Sequence, residues 1–177
     1  MSICYTGAMS AVTGIVKALV MLSGVWALLR GLNWMSYGLI KKRTLAERKW
    51  DLNICCGGTD GGGVNADIIK HRDLPRFVRI GDIYRLPFRN GQFEYVLCSH
   101  TAEHVEHPDA FCRELKRVGR KTVFLLPPLW DISAAFNVME HRWLFLTLRS
   151  RHENLPPRIR LPLSSFLQRK ARRRIRA

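Results

Sequence analysis

The chain has 177 residues, 47% of them hydrophobic and 24% charged, so it holds material for one packed domain and is not a disordered chain. Its 29 Lys and Arg against 14 Asp and Glu leave a formal net charge of +15. The excess sits in two clusters, at 41–49 and 169–176, and suits a phosphate-bearing partner, either anionic lipid or nucleic acid. The five cysteines, Cys4, Cys55, Cys56, Cys98 and Cys112, have neither zinc-site spacing nor the even count of a secreted disulfide framework.

The first element in chain order, residues 7–29, is apolar apart from Lys17 and a few small polar residues. Its length approaches the ~20 residues of one bilayer crossing. Lys17 near its centre opposes insertion by ~3 kcal/mol. Trp34 and Tyr37 followed by Lys41, Lys42 and Arg43 read as an interfacial border, and the cations place the C-terminal domain on the cytoplasmic side. The competing reading is a helix packed on the domain itself. The organisation expected is a membrane-anchor or amphipathic helical segment at 1–43, a domain at 44–150 and a basic Pro/Arg-rich tail at 151–177. The tail reads equally well as a solvated segment without a partner.

Residues 51–58, Asp-Leu-Asn-Ile-Cys-Cys-Gly-Gly, form a short apolar run entering a glycine loop that extends to Gly63. Such a loop lets backbone approach a ligand closely. A second run at 64–68 contains Asp67, placed where an acid can accept hydrogen bonds from a ribose diol. A third, at 77–82, ends in Asp82, and a fourth, at 95–100, ends in Ser99 and His100. Pro108 and Asp109 open a helix with Phe111, Leu115 and Val118 at helical spacing, and Gly119 is expected to stop it. A fifth run at 121–126 ends at Pro127-Pro128, and residues 144–148 offer one further strand. Strands alternating with helices or loops imply a mainly parallel sheet whose ligand lies outside its carboxyl edge.

The ordered set Leu-Asn-Ile-Cys-Cys-Gly-Gly (52–58), Asp67, Gly81-Asp82, Leu86-Pro87-Phe88, Phe93-Glu94-Tyr95-Val96, Ser-His-Thr-Ala-Glu-His-Val (99–105) and Arg-Glu-Leu-Lys-Arg-Val (113–118) resembles the class I S-adenosylmethionine (SAM)-dependent methyltransferases of the type 11 group. The resemblance covers about half the chain. It implies an α/β fold, a Rossmann-like mainly parallel sheet shortened at the C-terminal end and preceded here by an apolar N-terminal helix. It implies SAM as cofactor, with Asn53, Cys55, Gly57 and Gly58 toward its methionine part, Asp67 on the ribose and Asp82 with Ile83 on the adenine. Ser99 and His100 would line the methyl-transfer cleft, with Glu103 and His104 just beyond. The chain departs from the family pattern at Asn53, where an acid is usual, and at Cys55 and Thr59, where glycines are usual.

Methyl transfer from a sulfonium needs alignment and dryness more than a nucleophile. His100 and His104 are the candidate catalytic bases, with ordinary imidazoles titrating in the useful range. Both also read as structural residues. Glu103, His104, Glu106 and His107 lie close in sequence but lack a third ligand group at convincing spacing, so no metal is expected. The segment His141-Arg142-Trp143 reads as a border of the acceptor pocket or as plain surface or core. Nucleic acid is not an expected partner, since Ser99-His100-Thr101-Ala102 stands where an Asn/Asp-Pro-Pro-Tyr/Phe motif would lie. Two functions are compatible with these features: a methyltransferase acting on a small or lipid-linked acceptor at the cytoplasmic membrane face, or a noncatalytic Rossmann-like scaffold with a degenerate SAM loop.

Overall fold

The computed structural model describes residues 2–162 and 164. The N-terminal quarter is one continuous helical rod: α1 (Ser2–Asn33), a π-helical stretch (Trp34–Ile40) and α2 (Lys41–Ala46). Strands β1 (Trp50–Ile54), β2 (Gly62–Asp67), β3 (Phe77–Arg79) and β4 (Phe93–Ser99) come next, then α3 (Pro108–Val118) and β5 (Gly119–Leu125). A one-turn α4 (Ile132–Ala135) and the short strands β6 (Trp143–Phe145), β7 (Arg151–His152) and β8 (Arg158–Arg160) complete the described chain. The basic run at 169–176 lies outside the described residues.

The main sheet has the order β3-β2-β1-β4-β5-β7, parallel throughout except for β7, which runs antiparallel to β5. This is the α/β, mainly parallel arrangement expected, with the order reversing at β1 and β4, where ligands bind in such sheets. The sheet is short at its C-terminal end, as expected: a single two-residue strand joins β5, while β6 and β8 form a separate two-stranded ribbon. Strand pairing thus continues past residue 150.

One face of the sheet buries Leu52, Ile54, Val96 and Cys98 against Phe111, Leu115 and Val118 of α3. Those three helical positions share one face, as their spacing requires. A pair of charged residues fixes the preceding loop to α3. Glu114 Oε1 accepts from the Leu86 amide at 2.6 Å, and Arg117 donates to the carbonyls of Leu86 and Phe88 and to Glu114. The Leu86-Pro87-Phe88 and Arg-Glu-Leu-Lys-Arg-Val motifs are therefore two halves of one clamp. Gly119 is not a left-handed helix cap: its backbone is extended and it begins β5. Glycine is needed there because a Cβ would overlap the Val96 side chain.

A second cluster, Trp50, Leu97, Val123 and Leu125, is covered by Ile40 and Leu45 from the end of the helical rod. Asp131, fully buried, ties the rod down further. It accepts hydrogen bonds from Ser36 and Asn33 and caps α4 through Ser133 and Ala134. The rod is thus packed on the domain from about Asn33 onward. Its earlier part is not: Ile15, Val16, Leu19, Val20, Met21, Leu22, Val25, Trp26 and Leu28 are all exposed, on every side of the helix. Among the described residues one helix, Thr13–Ala46, is long and apolar enough to cross a membrane.

The crossover from β1 to β2 has no helix. Residues 55–61 alone return the chain, fewer than the dozen or so that a parallel connection ordinarily takes. Buried Asn65 organises that return: its Oδ1 accepts from the Gly61 amide at 2.9 Å and from Asn53 Nδ2 at 3.3 Å, while its Nδ2 donates to Asp60 and to the Pro75 carbonyl. Gly61 lies against Asn53, where a Cβ would come within 2.6 Å of the Asn53 Cβ.

Candidate functional site at the carboxyl edge

The carboxyl ends of β1, β2 and β4 carry Cys55, Asp67, Ser99 and His100, with Asp82 in the loop after β3. Asp67 Oδ2 accepts from the Gly57 amide at 2.8 Å and Oδ1 from the Ile68 amide at 2.7 Å. Gly57 has a left-handed backbone, φ +57°, and neither it nor Gly81 has any atom within 4 Å of where a Cβ would sit. The loop therefore presents open backbone beside an acid. Asp82 accepts from the Tyr84 amide, and Ile83 is buried in the core, so only its backbone is available to a ligand.

Two departures from the family pattern acquire physical meaning. Asn53 is buried, and its amide donates to the Thr59 carbonyl and to Asn65, which commits it to holding the short crossover. Cys55 adopts φ +51°, a conformation that favours glycine and costs an L-residue of order 1 kcal/mol or more. Burial and the Asp67 carboxylate push its thiol far above the ordinary range. His100, at φ +53°, is the matching left-handed residue at the end of β4. Strain thus flanks the switch point on both central strands.

His100 meets Tyr37 of the helical rod edge-on, with ring centroids 4.6 Å apart. Burial first, then the charge of Lys41, lowers its pKa to about 3. That environment favours the neutral imidazole of His100 over its protonated form. His104 is placed differently. Its Nδ1 lies 2.9 Å from the Glu140 carbonyl, and because a carbonyl can only accept, that nitrogen carries the proton and leaves the lone pair on Nε2.

A cavity of about 340 Å³ opens here, lined by Asn33, Tyr37, His100, Glu103, His104 and His141 among others. Its size falls in the usual range of small-molecule sites. A larger cavity, about 530 Å³, opens on the amino edge among Arg48, Lys116, Arg120, Lys121 and Arg151. In a parallel sheet the ligand edge is the carboxyl one, so the smaller cavity is the candidate site. Of the acidic and imidazole groups close in sequence, Glu106 pairs with Arg142 and Arg160, and His107 packs against Tyr84. The structure instead gathers Glu103, His104 and the distant His141. Tyr37, Lys41 and Asp131 border or support the site without any local sequence signal.

Residues 62–126, just over a third of the chain, match the family model described as a methyltransferase domain. That segment, β2 through the end of β5, carries Asp67, Asp82, Ser99 and His100, and the cofactor this class implies is SAM. No curated protein matches the chain. Among solved structures, the chain is similar to part of a Haloferax volcanii complex containing the Trm112 methyltransferase activator, at 16% identity over 57% of this chain and 56% of that one, TM-score 0.39. It is similar also to SAM-dependent methyltransferases from Aquifex aeolicus (13% identity, 60% and 77% of the two chains, TM-score 0.40) and Thermotoga maritima (15%, 89% and 79%, TM-score 0.47).

Proposed function

We propose that the chain is a membrane-associated SAM-dependent methyltransferase acting on a small or lipid-linked acceptor at the cytoplasmic face. The observation that carries this reading is the carboxyl edge itself: Asp67 braced against the open Gly57 loop at the end of β2 and, beyond the end of β4, a cavity lined by His100 and His104. The donor and acceptor set fits the cofactor. Asp67 retains lone pairs for a ribose diol, the Gly57 backbone is open on its Cα side although its amide is bonded to Asp67, and Asp82 with the Ile83 backbone is placed for a purine.

SAM, when bound, supplies an already activated methyl group. The chain's own residues then have to align the acceptor and keep water out. Tyr37 and the end of the helical rod roof the cavity, which suits exclusion of water. His100 lines it, with Ser99 one residue before it at the end of β4, and His104 Nε2 is the candidate acceptor for a proton leaving the substrate. The noncatalytic scaffold remains the second reading because Asn53 is consumed by the crossover and Cys55 occupies a glycine-like position.

Membrane association rests on α1, apolar on every side and exposed from Ile15 to Leu28. A helix apolar all round is buried in a protein or in a bilayer. The full chain is expected to float with anionic vesicles in a density gradient and to transfer labelled methyl groups from SAM into a membrane extract. The Leu22→Arg/Val25→Arg double variant, altered only at exposed positions, is expected to remain at the bottom, since each central arginine opposes insertion by ~3 kcal/mol. Flotation of the variant equal to that of the native chain contradicts the anchor, and absence of label in the extract contradicts the enzymatic reading.

A further inference from the structure

Backbone hydrogen bonds draw two loops together above β4. The Glu103 carbonyl accepts from the amides of Arg142 at 2.8 Å and Trp143 at 3.1 Å, and Trp143 Nε1 donates to the Val105 carbonyl at 2.9 Å. This fixes His141 beside Glu103 and His104, with one ligand atom from each lying within 4.8 Å of the others. The imidazoles of His104 and His141 meet edge to face at 4.7 Å. Glu103 is only 1% exposed, yet neither of its carboxylate oxygens has a hydrogen-bond partner, and His141 Nδ1 is likewise buried without one. A carboxyl group buried with nothing to satisfy it is costly unless something else completes it.

We propose that Glu103, His104 and His141 form a binding site for a divalent transition metal ion of the zinc type. Two imidazoles and one carboxylate are the donor set of a three-ligand site with an open fourth position, and imidazole donors disfavour magnesium and calcium. The second shell is already in place: the His104 Nδ1–H to Glu140 carbonyl bond fixes the tautomer and turns Nε2 into the ligand. The cavity of about 340 Å³ borders all three residues and leaves room for an exchangeable fourth ligand. An ion held there would act as a Lewis acid on a coordinated hydroxyl and would replace His104 as the group that draws off its proton. That role rests on the methyltransferase reading, whereas the binding itself does not.

The test is calorimetric titration of zinc chloride into chelator-treated full-length protein in detergent, with cobalt(II) as a spectroscopic probe. One equivalent is expected to bind, with visible d–d bands for cobalt. Affinity is expected to fall on the order of 100-fold or more in both His141→Ala and the near-isosteric Glu103→Gln, and to be unchanged in His107→Ala. Circular dichroism confirms that the variants keep their fold, and Glu103→Gln serves if His141→Ala does not. No binding to the native protein overturns the proposal. So does binding that survives loss of Glu103 and His141, which would point to the Cys55-Cys56 pair. Neither result bears on whether SAM binds.

Discussion

Gly63→Ala is expected to destabilise the domain by at least about 3 kcal/mol and to abolish the folded state in a marginal background. A Cβ at Gly63 would overlap the Trp50 carbonyl oxygen and lie 2.5 Å from that of Asp51. Both obstacles are backbone, so no rotamer change relieves them, and overpacking that must move backbone exceeds the usual ~1–3 kcal/mol. The contact lies at the start of the β1–β2 pairing, where Trp50 faces Gly62 and Leu52 faces Val64. Separating the strands there also pulls on the crossover at 55–61 and its Asn65 bonds. Gly81→Ala is the control: its Cβ would meet nothing within 4 Å, and the change should stay within about 1 kcal/mol. Urea denaturation followed by far-ultraviolet circular dichroism measures both, and equal midpoints for the two variants would contradict this account of the crossover.

Trp50→Ala is expected to cost ~3–5 kcal/mol, the usual range for removing a fully buried large aromatic. Trp50 is 0% exposed, packs with Leu97, Val123 and Leu125, and donates its indole N–H to the Thr44 carbonyl at 3.0 Å. It therefore joins α2 to the sheet as well as filling the core. The loss should appear in the urea midpoint, and proteolysis near residues 41–49 should accelerate because α2 loses its anchor. A variant with native protease resistance there would show that Asp131, with Ser36 and Asn33, holds the rod without Trp50.

The parallel sheet was legible because the C-terminal halves of β4 and β5 are buried and read as continuous apolar runs, while β1 carries Trp50, Leu52 and Ile54 at alternate positions. Their order was carried by the motif resemblance. The carboxyl-edge acids were legible for the same reason, each standing where an apolar run ends. Asn65 was not, since a buried polar residue inside a strand looks like a surface position until its partners at Gly61, Asp60 and Pro75 are brought together. The approach of His141 to Glu103 depends on backbone bonds from Arg142 and Trp143, which no side-chain pattern announces. The surroundings of His100 were equally hidden: only the fold brings Tyr37 edge-on to its ring and Lys41 close enough to disfavour its protonation. The closing strands were illegible because two- and three-residue segments carry no periodicity.

The departure at Cys55 bears directly on the cofactor. The side chain adds bulk beside the Gly57 loop, but Gly57 itself has open space around it, and Asp67 is already held in place by the Gly57 amide. Binding of SAM should accordingly depend on Asp67 more than on Asn53, whose amide is spent on Thr59 and Asn65. Removing the Asp67 carboxylate deletes the brace on the loop and, in the proposed binding mode, would also delete the acceptor for the ribose hydroxyls.

Calorimetric titration of SAM into the full chain in detergent tests the central claim most directly. Saturable one-to-one binding is expected, displaced by S-adenosylhomocysteine and weakened at least about tenfold by Asp67→Ala, a loss of about 1.4 kcal/mol. No heat at millimolar SAM, or binding indifferent to Asp67, would contradict it.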